Sequence, residues 1–140
     1  MTDRPHIQLV QRYYDACNRA DEVELRTFFT PDAIHYFTGR GPTVGADKVI
    51  GYCLAAVRQV EARWTVDHAL AGGDEVVVEW TMSWRPPSRN EVTLTRGTEW
   101  MIIRDGRIAE VRAYFQRDPE NRATELQGFP YRERGYTMVP

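Results

Sequence analysis

Two histidines sit where a strand would hold them against apolar neighbours. His35 lies in PDAIHYFTG, residues 31–39, and His68 lies in DHALAGGD, residues 67–74. Imidazole titrates near neutral pH, so either ring can give or take a proton without a large shift. Either can equally be a hydrogen-bonded packing residue. Side chains alternate along a strand, so His35 and Phe37 share one face, and Ile34 and Tyr36 the other. By the same period His68 shares a face with Trp64, Val66 and Leu70. A metal site needs three converging ligands. His35, His68 and Glu79 or Glu99 have no ligand spacing, so no metal is expected. No glycine-rich nucleotide motif is present, so no cofactor is expected either.

The elements that must carry these rings follow from periodicity. Residues 5–20 read as a helix, with Pro5 in its first turn. Ile7, Val10, Tyr14 and Cys17 form one stripe, with Leu9, Tyr13 and Ala16 beside it. Asp21 and Glu24 have capping-box spacing and open a short second helix carrying Leu25, Phe28 and Phe29. A strand over 33–37 leads into the glycine-rich TGRGPTVG. Ala46, Val49, Ile50, Cys53, Leu54 and Val57 then mark a third helix. Alternation replaces the helical period in strands over 64–70, 76–84, 91–103 and 107–116. The last two are joined by RDGR, a strong two-residue hairpin signal. Helices gathered before an antiparallel meander predict an α+β fold with the helices on one face of a curved sheet. One domain is expected over 1–117. Residues 118–140 read as a tail that lies over the mouth of the fold or on a partner subunit, or else frays.

Composition narrows the function classes. The chain has 140 residues, 42% hydrophobic and 27% charged, with a net charge of −2. That balance gives no basic footprint for nucleic acid. No apolar run is long enough to span a bilayer. MTDRPHIQ has no signal-peptide core, so a cytoplasmic location is expected. Cys17 and Cys53 fall on apolar stripes and read as free buried thiols. Four Trp, seven Tyr and five Phe could line a cavity as well as fill a core.

The chain resembles the NTF2-like superfamily, in its SnoaL-like and ketosteroid-isomerase-like branch. The resemblance covers roughly residues 7–117. It rests on LVQRYYDACNRAD, FFTPDAIHYF, VGADKVI, GGDEVVVEW and RDGRIAEVRAYF in that order and spacing. It implies a cone: a bent sheet around three helices, with a deep apolar pocket, often as a homodimer. Tyr13 matches the helix tyrosine that binds the enolate oxygen in ketosteroid isomerases. Glu99 falls near the protonated carboxyl that shares that oxyanion hole. The base of those enzymes maps onto Phe37, which takes no proton. The Asp-Arg-Asp set of limonene-epoxide hydrolases maps onto Met82, Trp80 and Ala113. His68 is similar to the strand histidine of scytalone dehydratases, and Tyr36 to a pocket tyrosine of that family.

If Phe37 stands where a pocket base would, His35 faces the pocket too. The same period turns Val111, Ala113 and Phe115 inward on the last strand, and Thr95, Gly97, Glu99 and Met101 on the strand before it. A perfect hairpin around the Asp-Gly turn would instead put Glu99 opposite Arg112. A bulge would restore the inward reading. The expected catalytic set is therefore His35, His68, Tyr13, Glu99 and Tyr36. Tyr14, Phe37, Trp80, Met82, Met101, Val111, Ala113 and Phe115 are expected to contact substrate. The function expected is cofactor-free proton transfer beside a carbonyl on a small hydrophobic, cyclic or polyketide-like molecule, giving isomerisation, cyclisation or dehydration. The alternatives are a non-catalytic module that binds a hydrophobic ligand or dimerises, and a hydrolase that adds water.

Overall fold

The computed structural model describes residues 4–88, 90–115 and 125–138. Helix α1 spans Arg4–Asn18, α2 Glu22–Phe28 and α3 Ala46–Val60. The strands are β1 Phe29–Phe37, β2 Arg40–Val44, β3 Arg63–Gly72, β4 Glu75–Trp84, β5 Thr93–Arg104 and β6 Arg107–Phe115. The expected α+β architecture is present, with one more strand than expected. Part of the glycine-rich loop pairs with β1 as β2. The six strands form one sheet in the order β2-β1-β6-β5-β4-β3. Only β1 and β6 run parallel among its neighbouring pairs.

The local chemistry is that read from the residues. Asp21 caps α2 by accepting from the Glu24 backbone N–H at 3.0 Å. Asp105 and Gly106 take φ of 52° and 73°, the two left-handed positions that a tight hairpin needs. The helical stripes bury Val10, Tyr14 and Cys17 from α1, with Val49, Ile50, Cys53 and Leu54 from α3. These pack on one face of the sheet, against Val76, Val78, Met101, Ile103, Ile108 and Val111. Asn18, at the end of α1, acts as a short piece of strand. Its amide donates to the Trp64 carbonyl and accepts from the Trp64 N–H, both at 2.8 Å. Among the described residues no helix is long and apolar enough to cross a membrane.

Two bulges set which side chains face the helices. Around the turn, Ile103 pairs with Ile108, but Ile102 pairs with Glu110, so Ala109 is an extra residue in β6. Glu99 consequently lies opposite Ala113, not Arg112. In β3, Val66 pairs with Trp80 and His68 with Glu79, so Asp67 is extra. Beyond it the inward set changes from Trp64 and Val66 to Ala69 and Ala71. His68 and Leu70 are turned to the outer face.

The tail residues 125–138 lie against that outer face. Asp67 accepts from the Thr137 N–H at 2.9 Å and the Thr137 hydroxyl at 2.7 Å. Tyr136 donates to Glu79 at 2.6 Å, which pushes its phenol up to about 12. The buried Arg96 guanidinium donates to Thr81 and to the Thr137 carbonyl, and lies 4.2 Å from the Tyr131 ring centre. The Asn18 bridge carries the fold prediction. Asn18→Ala leaves both Trp64 backbone groups unpaired in a half-buried place, and should cost about 1–3 kcal/mol in urea unfolding. An unchanged midpoint would mean that water replaces the amide without loss.

Candidate active site

Between α1, α3 and the inner face of the sheet lies a cavity that offers about 70 Å³ to the centres of water-sized spheres. One water needs roughly 10–15 Å³ on that measure, so several waters or one ring-sized part of a ligand fit. Helix α1 lines it with Tyr13, Tyr14 and Cys17, and α3 with Val49, Tyr52 and Cys53. Strand β1 adds His35 and Phe37, and β3 adds Trp64. Trp80 and Met82 of β4, Glu99 of β5, and Ala113 and Phe115 of β6 complete it. Gly97 makes room for this wall. A Cβ there would stand 2.5 Å from the Trp80 indole, so a side chain at 97 would displace the ring.

His35 and Glu99 meet in the cavity wall. His35 Nε2 lies 3.6 Å from Glu99 Oε2, and both side chains are more than nine-tenths buried. That separation is too long for a hydrogen bond. Neither ring nitrogen of His35 and not Glu99 Oε2 has a hydrogen-bond partner among the described residues, and the same holds for the Tyr14 hydroxyl and Trp80 Nε1. Buried polar atoms are nearly always paired, because stripping water from one without a partner costs about 1–3 kcal/mol. Such atoms gathered on one apolar cavity mark where a polar ligand group would be welcome.

The phenols are tuned by the same surroundings. Burial pushes Tyr13 well above the ordinary phenol value of 10.0, helped by Cys17 and Glu99. Burial, then the Glu99 carboxylate, does the same for Tyr14. Burial, then Cys53, pushes the Cys17 thiol up. Both cysteines are free. The two tyrosine rings stand 4.8 Å apart, and Tyr13 meets Phe29 edge-on at 5.3 Å. His35 stacks on Phe37 with ring centres 4.0 Å apart, and Tyr52 approaches Phe37 to 4.8 Å.

Set against the sequence, the cavity gathers His35, Tyr13, Glu99, Tyr14, Phe37, Trp80, Met82, Ala113 and Phe115. It does not gather the rest. His68 is a correction: the bulge at Asp67 turns it outward, 64% exposed, with Nδ1 3.2 Å from Glu79 Oε1. Tyr36 is a second: strand alternation puts it on the outer face, 41% exposed, where it borders a groove with Tyr114 and Arg112. Met101 and Val111 are a third: they face inward, but are sealed in the core below the cavity. Val49, Tyr52, Trp64 and the two cysteines were missed as lining residues. Tyr52 follows Val49 by three positions and so flanks the stripe already read, which is the signal that would have found it. Among the described residues no group of three His, Cys, Asp or Glu side chains converges as a metal site.

Residues 10–111 match the family described as SnoaL-like domain. No functionally curated protein matches the chain. A protein of unknown function with a cystatin-like fold from Methylobium petroleophilum PM1 is 30% identical, with a TM-score of 0.71, over 99% of this chain and 94% of that one. A "putative polyketide cyclase" from Sinorhizobium meliloti is 25% identical, with a TM-score of 0.66, over 76% and 93%. An ntf2-like protein of unknown function from Burkholderia pseudomallei K96243 is 18% identical, with a TM-score of 0.71, over 80% and 91%. A chain whose helices and inward strand residues enclose this cavity, and whose length matches such relatives nearly throughout, belongs to the SnoaL-like domain family and has the NTF2-like, ketosteroid-isomerase-like fold.

Proposed function

We propose that this protein is an enzyme that moves a proton beside a carbonyl on a small hydrophobic, cyclic or polyketide-like molecule. The observation that carries the reading is the set of buried polar atoms on His35, Glu99 and Tyr14 without hydrogen-bond partners among the described residues, all bordering one apolar cavity. The name of the Sinorhizobium relative supports cyclisation as one outcome.

His35 takes the proton from the carbon next to the carbonyl, and the C–H electron pair moves into an enolate. Glu99, 3.6 Å behind it, stabilises the imidazolium that forms. Tyr14 donates to the developing oxyanion, with Tyr13 beside it as a second donor. Both are phenols at neutral pH, as a donor requires, and burial keeps them so into the alkaline range. The proton then returns to another carbon in an isomerisation, or leaves with a hydroxyl as water in a dehydration. In a cyclisation the enolate carbon attacks a second carbonyl and the proton goes to the new alkoxide. Phe37 makes no base but packs on His35, so the role that a carboxylate would hold at position 37 passes to the imidazole two residues earlier.

Three outcomes test the reading. With single-ring ketones, enones and hydroxyketones as a panel, and product mass as the readout, His35→Phe should lose about 10²–10⁴ in turnover. Tyr14→Phe should lose about 10²–10³. Saturable binding of the panel without any product would favour a binding module, and a mass gain of one water would favour a hydrolase. The pair should serve chemistry more than stability. Buried polar atoms without partners cost about 1–3 kcal/mol each, so replacing both groups by apolar ones in His35→Phe/Glu99→Leu should melt no lower than the parent. A large drop would make the pair structural.

Alkaline pH gives the third. Below pH 10 both phenols hold their protons whether the chain is folded or not. Above it the unfolded chain releases protons that the folded chain keeps, so stability should fall as pH rises past that value. Ultraviolet titration of the folded protein should leave Tyr13 and Tyr14 un-ionised near pH 10. All seven tyrosines ionising there together would contradict the burial argument.

A further inference from the structure

Arg40 opens β2 on the β1–β2 hairpin, exposed and stacked on two residues that line the cavity. It pairs across that hairpin with Phe37. Directly opposed residues share a face of the sheet, and Phe37 faces the cavity, so Arg40 lies on the cavity side. Its guanidinium carbon is 4.1 Å from the Phe37 ring centre and 4.7 Å from the Tyr52 ring centre. Those rings are half-buried, line the cavity and come from two different elements, β1 and α3. One cation thus bridges β1 and α3 on two aromatic faces, at the solvent side of the cavity wall. Nη2 donates to the Thr43 hydroxyl at 2.8 Å. No carboxylate lies within ion-pair distance of Arg40 among the described residues, and most of its five N–H donors remain for a ligand.

The interior has the opposite character. Among the cavity-lining residues the one carboxylate is Glu99, and there is no lysine or arginine. An anionic group pushed inward would meet a buried carboxylate and lose its hydration. At the solvent side of the wall it would meet a guanidinium that stacking already holds in place. A planar fork of that kind pairs with a carboxylate through two parallel hydrogen bonds. The spacing is short. Phe37, under the guanidinium, also stacks on His35 at 4.0 Å, and Tyr52 is 6.2 Å from His35. A ligand reaching from one to the other needs to be only about one ring long.

We infer that Arg40 selects substrates carrying a carboxylate or similar anionic group about one ring away from the oxygen function that enters the cavity. This rests on the reading of the cavity as the substrate site. It makes the ligand a small oxygenated ring acid, bound carbonyl or hydroxyl end first, with its anion left at the solvent side.

The test uses 4-hydroxybenzoate and its neutral methyl ester as matched probes, with binding followed by calorimetry or tryptophan fluorescence. The acid should bind wild-type protein more tightly than the ester, and added salt should narrow the gap. Arg40→Gln should weaken the acid about three- to tenfold and leave the ester unchanged. Arg40→Lys, which keeps charge but not the fork, should fall between. His35→Phe reports on the cavity alone and should weaken both probes. An acid-to-ester ratio that Arg40→Gln does not move would overturn the assignment of Arg40, while ester binding that His35→Phe abolishes would leave the cavity reading standing. Failure of both probes to bind wild type at millimolar concentration would overturn both.

Discussion

The site depends on one extra residue in β6. Ala109 has no partner in β5, and from that point every pairing between the two strands is moved by one. Without it Glu99 would face Arg112, and the two would go in or out together. With it Glu99 faces inward opposite Ala113, a side chain too small to fill the space, and Arg112 turns out to Glu110 and Glu75. A carboxylate on an apolar face is costly to bury. The strand can hold one there because its register is locked by the tight Asp105-Gly106 turn on one side and by the long pairing with β4 on the other. The second bulge, at Asp67, works the other way on β3. It turns an imidazole out and gives its own carboxylate to Thr137. Two single-residue insertions thus decide which ionisable groups reach the cavity.

That mechanism also explains what could be read from the residues. Helix α3 and the buried face of α1 were legible because a 3.6-residue period over fifteen residues is hard to mimic. The sharing of a face by His35 and Phe37 was legible because the irregularity in their pairing with β2 puts the extra residue in β2, leaving the alternation of β1 itself intact. The position of His68 was not, because an inserted residue changes no composition and Ala-Leu-Ala alternates acceptably in either phase. Glu99 was legible only as a choice between two registers, and tertiary pairing made the choice. Strand β2 was hidden for a different reason. Its five residues are largely exposed and include a glycine and a proline, so there is no apolar face to alternate.

The tail and the outer face form a second polar system, apart from the cavity. Arg96 is nearly as buried as Glu99, and its two terminal nitrogens are satisfied where Glu99 Oε2 is not: they have Thr81, the Thr137 carbonyl and the Met138 sulfur, with the Tyr131 ring alongside, and its Nε alone is left without a partner among the described residues. Asp67, Glu79 and Arg96 on the outer face hold the C-terminal segment. On the inner face His35, Glu99 and Tyr14 keep polar atoms without partners among the described residues.

The missing side chain at Gly97 has a consequence for how such a protein diverges. The Trp80 indole occupies the space that any larger residue at 97 would claim, and the same indole is a wall of the cavity. Position 97 therefore acts as a set-screw: a single methyl added behind the wall moves a bicyclic ring in front of it. The volume of the chamber can be retuned from outside it, with His35, Glu99 and the two α1 phenols left untouched.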